Sequence, residues 1–546
     1  MKQFSWVACF VFVTLCVLTP CRFYAQQALQ EIVRFNIPEG EHFPYSNEMG
    51  GDLNGDGRPD LVFSCIDEYH YSYFPVYIYY SIPDSNAVPD QILTIPWPNV
   101  GGFGYSLAYA GDLNGDGISD LAVGVRYYGI GISGAILIYY GGNCPFTTPD
   151  VLISGEGMGY THDWDLYFGE DMITDCDLNG DGINDLLVYA PGPQYEEWGN
   201  VYVYLGGELF ATTPALHIRG AVLYEQLGAD MKTGDINGDG YDDIVLTNRV
   251  TVNPDGSYGP CHYHLKIYPG GESLTNVPIF ETLLASAPYA GINGIIANGD
   301  LDGDGYDDIV ISGISQDGPW LKVFYGQGDL TELTAIDYML PLGVNAIIQS
   351  YCNLNNDLFS DFFVNHRTLH GGPTEIGNFV IYKQTNGILD IIPDYINTGE
   401  HAFNDYGWGF NLGDMNGDGH PDFFVFSHDH AVGNHINYAT ILSESYINNS
   451  DEYIQPARNV IRCYPNPFQD GVSVRIASAD KSVQLTSMEV YNLKGQLVHS
   501  RKNLRGKQIR WDGLDSHGNK IGSGIYIVRA SDTKGNTYST RVVNIK

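Results

Sequence analysis

The chain has 546 residues and a formal net charge of −38, from 65 Asp+Glu against 27 Lys+Arg. So acidic a surface repels phosphate and excludes nucleic acid as a partner. Nine Cys occur without one Cys-x-x-Cys pair, which excludes a zinc ribbon and leaves no legible disulfide framework, so buried free thiols are expected, with one or two disulfides as the alternative.

Residues 1–25 read as a secretory signal peptide. Lys2 supplies the positive start, Val7 to Leu18 is an apolar core too short to span a bilayer, and cleavage after Ala25 fits. A lipoprotein signal ending at Cys21 is the alternative, which Pro20 fits poorly. No later stretch is apolar enough to predict a membrane span, so no transmembrane segment is expected after signal cleavage.

From residue 26 to 455 one nine-residue phrase recurs about every 60 residues, which signals an array or a propeller. Its clearest copy is Asp112-Leu-Asn114-Gly-Asp116-Gly117-Ile118-Ser-Asp120; the others begin at Asp52, Asp177, Asp235, Asp300, Asn353 and Asp414. Side-chain oxygens at positions 1, 3 and 5, a backbone carbonyl at 7 and Gly at 6 form the front of a loop that wraps a hard cation. An EF-hand would add Glu at position 12. Here that position is Phe63, Val123, Val188, Leu246, Ile311, Val364 or Val425, so the closing ligand must be Asp at 9.

The expected calcium ligands are Asp52, Asn54, Asp56 and Asp60 in the first loop and Asp112, Asn114, Asp116 and Asp120 in the second. The third has Asp177, Asn179, Asp181 and Asp185, and the fourth Asp235, Asn237, Asp239 and Asp243. The fifth has Asp300, Asp302, Asp304 and Asp308, and the seventh Asp414, Asn416, Asp418 and Asp422. The carbonyls of Arg58, Ile118, Ile183, Tyr241, Tyr306 and His420 stand at position 7. The sixth copy has Asn353, Asn355, Asp357 and Asp361 with Leu358 in place of Gly, so it is expected to be weak or empty. About six Ca2+ sites follow, since a plain turn has no need of carboxylates at 1, 5 and 9 together and magnesium keeps more of its water.

Each phrase precedes a short apolar run such as Leu121-Ala-Val, which reads as a buried strand. Third strands are predicted at Val76–Tyr80, Gly134–Gly142, Val201–Leu205, Leu265–Tyr268, Leu321–Tyr325, Phe379–Tyr382 and Tyr438–Leu442, and fourth strands at Asp90–Pro96, Asp150–Ser154 and Pro214–Arg219. Four strands per period predict an all-β, seven-bladed β-propeller. The seventh unit lacks a fourth strand, and Leu29–Ile37 resembles one, so it is expected to pair there and close the ring; residues around Asp451–Pro456 are the competing candidate.

Phe103-Gly104 before the second loop, Asp112-Leu-Asn-Gly-Asp-Gly within it, and Phe168-Gly169 with Ala190-Pro191 around the third resemble FG-GAP repeats. The resemblance implies the calcium-bearing propeller of integrin α subunits and many bacterial surface proteins, and it identifies no ligand-binding residue.

Residues 456–546 carry a net positive charge, unlike the rest, and form a separate module. Strands are predicted at Val472–Ala477, Ser487–Asn492, Ile525–Ala530 and Ser539–Ile545, a small immunoglobulin-like β-sandwich. Tyr464-Pro-Asn-Pro-Phe468, Val490–Val498, Trp511-Asp-Gly513, Gly524–Val528 and Lys546 resemble, in order, the C-terminal sorting domain of type IX secretion. The resemblance implies type IX machinery as a partner and a secreted or bacterial cell-surface protein.

No nucleophile elbow, phosphate loop or His-Glu-x-x-His pattern assigns catalysis. Aromatic loop clusters at Asp67–Tyr73, Tyr127-Tyr128, Tyr195–Trp198, Trp320 and Tyr406–Trp408 suit an extracellular glycan or protein ligand, or else pack between blades. His428, His430 and His435 read as solvated loop residues. Three functions stand open: a ligand-binding or adhesion module, a propeller-type polysaccharide lyase or hydrolase, and a structural surface-layer component.

Overall fold

The computed structural model describes residues 29–544 with the exception of 37–40, 43–49, 65, 68–73, 81–87, 96, 98–99, 110, 130, 157–165, 194–197, 253–257, 288–290, 316–317, 340–343, 355–356, 358, 369–377, 385–393, 399–407, 418, 428–437, 444–459, 465–471, 478–483, 493–496, 503, 507, 523 and 535–536. The signal-peptide reading, the alternative closing segment at 451–456, His428, His430, His435 and the ligand Asp418 lie outside these residues. Two compact units divide the chain: Met1–Asn355 with Phe359–Tyr446, and Ile447–Lys546 with Asn356–Leu358.

The first unit is built from repeated antiparallel sheets. In the second repeat, Gly101–Ala108, Leu121–Tyr127, Ala135–Tyr139 and Val151–Ser154 lie side by side in chain order. The third to sixth repeats follow the same order, the third through Asp171–Cys176, Asp185–Ala190, Asn200–Tyr204 and Leu216–Arg219. The first repeat contributes Leu61–Ser64, Val76–Tyr79 and Gln91–Leu93. In the seventh, Trp408–Gly413, Asp422–Ser427 and Tyr438–Ser443 gain their fourth strand from the start of the chain: Gln30–Asn36 pairs antiparallel to Tyr438–Ser443, with Asn36 opposite Tyr438 and Gln30 opposite Ser443.

The strands in mid-sheet are apolar on both faces because each sheet packs between two others. Successive side chains point to opposite faces of a strand. Thus Leu121, Val123 and Val125 join a core shared with the first repeat, while Ala122 joins one shared with the third. Further clusters link the third repeat to the fourth, the fourth to the fifth, the fifth to the sixth and the sixth to the seventh. Leu61, Phe63 and Tyr79 then pack on Leu412, Phe424 and Ile441, so the seventh repeat meets the first and the packing closes on itself.

In the second unit, Val460–Tyr464, Val472–Ala477 and Gln508–Trp511 form one sheet, and Leu485–Asn492, Leu497–Lys502, Gly524–Asp532 and Thr537–Asn544 form another. Both contribute to a core around the fully buried Trp511. Cys144, Cys176, Cys261 and Cys352 are free thiols. No helix among the described residues is long and apolar enough to cross a membrane.

Candidate metal centres in the repeat loops

In the second to seventh repeats the phrase joins the first strand to the second, and in every loop but the sixth its backbone is bent around position 1. In the second loop, Asp112 Oδ1 accepts from the N–H groups of Gly115 (2.7 Å) and Asp116 (3.1 Å), and Oδ2 from that of Gly117 (2.6 Å). Gly117 has φ of 88°, a left-handed conformation that glycine adopts without a Cβ clash. The bond from position 6 recurs in the loops of Gly57, Gly182, Gly240, Gly305 and Gly419 at 2.7–3.0 Å. The N–H of Ile118 in turn holds Asp116 Oδ1 at 2.9 Å, and Arg58, Ile183, Tyr241 and Tyr306 repeat it at 2.9–3.1 Å. An ionised carboxylate has about four lone-pair sites, so these bonds orient the acid and leave capacity for a cation.

Position 9 lies deepest. Asp60, Asp120, Asp185, Asp243, Asp308, Asp361 and Asp422 are all fully buried. Their Oδ2 accepts the N–H of position 2, at 2.6–3.0 Å from Leu53, Leu113, Leu178, Leu301, Leu354 and Met415. Their Oδ1 accepts from the turn after the third strand, at 2.7–3.0 Å from Gly141, Gly206, Gly270, Gly326 and Gln384. The fourth loop departs: Ile236 N–H turns to Gly234 O at 2.9 Å, and the buried Asp243 Oδ2 has no hydrogen-bond partner. Burial, with the charges of positions 1 and 5 adding to it, pushes Asp60, Asp120, Asp185 and Asp243 up to about 7. Asp308 is raised as well.

Predicted ligands approach one another in several loops, and among the described residues three acidic ones meet in the fifth. Asn54 Nδ2 lies 3.3 Å from Asp56 Oδ2 and 3.4 Å from Asp60 Oδ1; in the second loop Asn114 is 3.2 Å from Asp116 and 3.5 Å from Asp120. Half a turn of either amide would put its oxygen there at the expense of the bond its Oδ1 accepts from the N–H of Asp56 or Asp116, each at 2.8 Å. In the seventh loop Asn416 Nδ2 reaches Asp422 Oδ1 at 3.1 Å. In the fifth loop, where position 3 is also Asp, ligand oxygens of Asp300, Asp302 and Asp304 lie within 4.8 Å of one another. A set made of hard oxygen donors, with buried carboxylates held above their ordinary range and one orphaned oxygen, fits a divalent cation such as calcium. Asn353 and Asp357 are described in the sixth loop but Asn355 and Leu358 are not, while Asp361 keeps its two backbone partners.

The aromatic candidates are dispersed. Trp320 follows the packing alternative: it is buried in the core between the fourth and fifth repeats, because its strand faces a neighbouring sheet. Tyr128 packs on Trp97 at 5.7 Å, and the Arg219 guanidinium lies 4.5 Å over Trp198. Residues 68–73, 195–197 and 406–407 fall outside the described residues. Two polar clusters carry no motif that reading the sequence could have found. Arg126 lies between the rings of Tyr105 (4.3 Å) and Tyr167 (4.4 Å) and pairs with Glu170 at 2.9 Å. The buried Glu225 accepts from Lys266 and Asn248, each at 2.8 Å.

An FG-GAP-like repeat family model matches residues 52–123 and 177–246, and a secretion system C-terminal sorting domain model matches 462–546. Integrin alpha-5 of Xenopus laevis is 30% identical over 225 residues, covering 39% of this chain and 20% of that protein. Integrin alpha-PS5 of Drosophila melanogaster is 33% identical over 200 residues, covering 34% and 19%. The chain thus spans about a fifth of the length of these relatives. An essential bacterial surface component of the type-IX secretion system of Porphyromonas gingivalis aligns over 95% of this chain and 87% of its own at 12% identity, with a TM-score of 0.19, and nothing rests on it. The chain carries FG-GAP-like repeats and ends in a type IX secretion sorting domain, which directs it to the cell surface or the extracellular space.

Proposed function

We propose that the repeats form a seven-bladed, calcium-stabilised β-propeller that works outside the cell as a ligand-binding or adhesion module. Seven sheets whose cores close in a cycle support the blade count. The observation that carries the calcium reading is that the fully buried Asp60, Asp120, Asp185 and Asp243 at position 9 each feel the carboxylates of positions 1 and 5 of their own loop. Isolated buried charge is costly unless a counter-ion compensates it, and millimolar extracellular calcium fills sites of modest affinity. The second unit reads as an immunoglobulin-like sandwich that engages the type IX machinery. The adhesion reading rests on likeness to integrin α chains, and the ligand class it points to is a glycan or an extracellular protein.

The purified protein is applied to a glycan and matrix-protein array with calcium and with EDTA. Binding that vanishes in EDTA is the expected result. Release of sugar products from a polysaccharide, or ordered self-assembly with no ligand at all, would replace this reading with a lyase or hydrolase, or with a surface-layer component.

A further inference from the structure

Adjacent loops are bonded to each other at position 8, which is not a ligand position. Its N–H donates to the carbonyl of position 1 in the preceding loop: Ser119 to Asp52, Asn184 to Asp112, Asp242 to Asp177 and Asp307 to Asp235, each at 3.0 Å, and Ser360 to Asp300 at 2.8 Å. At three of these junctions the side chain returns a second bond. Asn184 Oδ1 accepts the N–H of Asp112 at 2.9 Å, Asp242 Oδ2 that of Asp177 at 2.8 Å, and Asp307 Oδ2 that of Asp235 at 2.9 Å. The backbone of position 1 is then fixed on both sides of its Cα by one residue outside its own loop. The last two junctions lack the device, since Pro59 and Pro421 stand at position 8 and proline has no N–H.

Position 1 is the acid around which each loop is bent, so the angle of its backbone sets where its carboxylate stands. We propose that Asn184, Asp242 and Asp307 are positioning residues for the cation of the loop before their own, so that cation affinity in the second, third and fourth loops is governed from the next repeat. The proposal rests on the calcium reading above. A ligand shell loses affinity when its support loosens by a fraction of an ångström. The doubly held second, third and fourth loops are therefore the tight sites, the singly held first and fifth are weaker, and the seventh, facing Pro59, is weaker again.

The test uses the full chain stripped of metal, with calcium bound per molecule counted by native mass spectrometry and affinities taken from calorimetric titration. Asn184→Ala should weaken one site about tenfold, the loss of one good hydrogen bond, and Asn184→Asp should restore it. The effect should be local to the preceding loop. In a chain already carrying Asp112→Ala, Asn184→Ala should change nothing further, whereas in a chain carrying Asp177→Ala it should still weaken a site. Asn184→Ser, which places there the residue of Ser119 and Ser360, serves if the alanine variant fails to fold. Unchanged affinities with melting lowered equally with and without calcium would overturn the positioning role, as would a loss confined to the third loop. An unsubstituted chain that takes up no calcium overturns the calcium reading itself, and the proposal with it.

Discussion

Asp361 tests whether position 9 is a structural residue before it is a ligand. It sits in the sixth loop, where position 1 is Asn353 rather than Asp and position 6 is Leu358 rather than Gly. It is nonetheless fully buried, with Oδ2 accepting from Leu354 N–H at 2.9 Å and Oδ1 from Gln384 N–H at 2.7 Å. Leu354 and Gln384 are themselves buried, so Asp361→Ala strips the acceptor from two backbone donors that water does not readily reach. A buried donor without a partner costs about 1–3 kcal/mol, so the two together cost about 2–6 kcal/mol. Asp361→Asn keeps one acceptor and sets an amide N–H against the other donor, for a loss of about 1–3 kcal/mol. The assay is chemical and thermal unfolding of the full chain in calcium and in EDTA. Both variants should be destabilised by the same amount in the two buffers, and calcium stoichiometry should not change. Wild-type stability in Asp361→Ala, or a loss present only with calcium, would refute the structural role.

Three further outcomes follow from the same loops. Asp60, Asp120, Asp185 and Asp243 are raised to about 7 in the folded state by burial, above their unfolded values. The metal-free fold therefore takes up protons on folding; its stability is full below the unfolded value of about 4 and is lost as pH rises through about 7. In EDTA the Tm should fall across that window, with calcium offsetting the fall most at its upper end, and a rising Tm in EDTA would contradict the burial argument. Gly117→Ala meets open space but has to hold φ at 88°, so it should cost about 1–2 kcal/mol from the backbone alone and weaken calcium uptake by one site. Deleting residues 29–36 should leave Tyr438–Ser443 as a bare sheet edge, which light scattering would report as aggregation.

The acidic loops, the third strands, three of the fourth strands and the pairing of the N-terminal segment were legible because each rests on a local pattern: acids at fixed spacing, short apolar runs, and the likeness of residues 29–37 to other fourth strands. The fourth strands Phe280–Ala287, Ala335–Met339 and Tyr395–Thr398 were not. First strands were harder. Asp171–Cys176 reads Asp-Met-Ile-Thr-Asp-Cys, with acids among its apolar positions, and shows no clean alternation. In the C-terminal unit Leu497–Lys502 and Gln508–Trp511 were missed for the same reason: Leu-Val-His-Ser-Arg-Lys is mostly polar, and only its partner strand places it in a sheet. Trp320 could not be settled from sequence, since an aromatic ring in an isolated window looks the same whether it meets a ligand or the next sheet.

What the phrase conceals is that its positions serve two separable ends. Positions 1, 3 and 5 fold the loop on itself by accepting the N–H groups of positions 5, 6 and 7, and so bring the ligand side chains of one loop near one another. Position 9 joins its own loop to the turn after the third strand, and position 8 joins one repeat to the next, both through backbone groups that no sequence pattern displays. A loop can therefore lose the first set and keep the second. The sixth has lost one member of the first set: Asn353 stands where the first acid would be, though Asp357 remains at position 5, while Asp361 has both its donors and Ser360 bonds to Asp300. Asp361 therefore keeps its place in a loop whose position 1 offers no carboxylate. Its retention in full burial, where an unpaired carboxylate is costly, argues that the aspartate ties the sheet together whether or not a cation joins it.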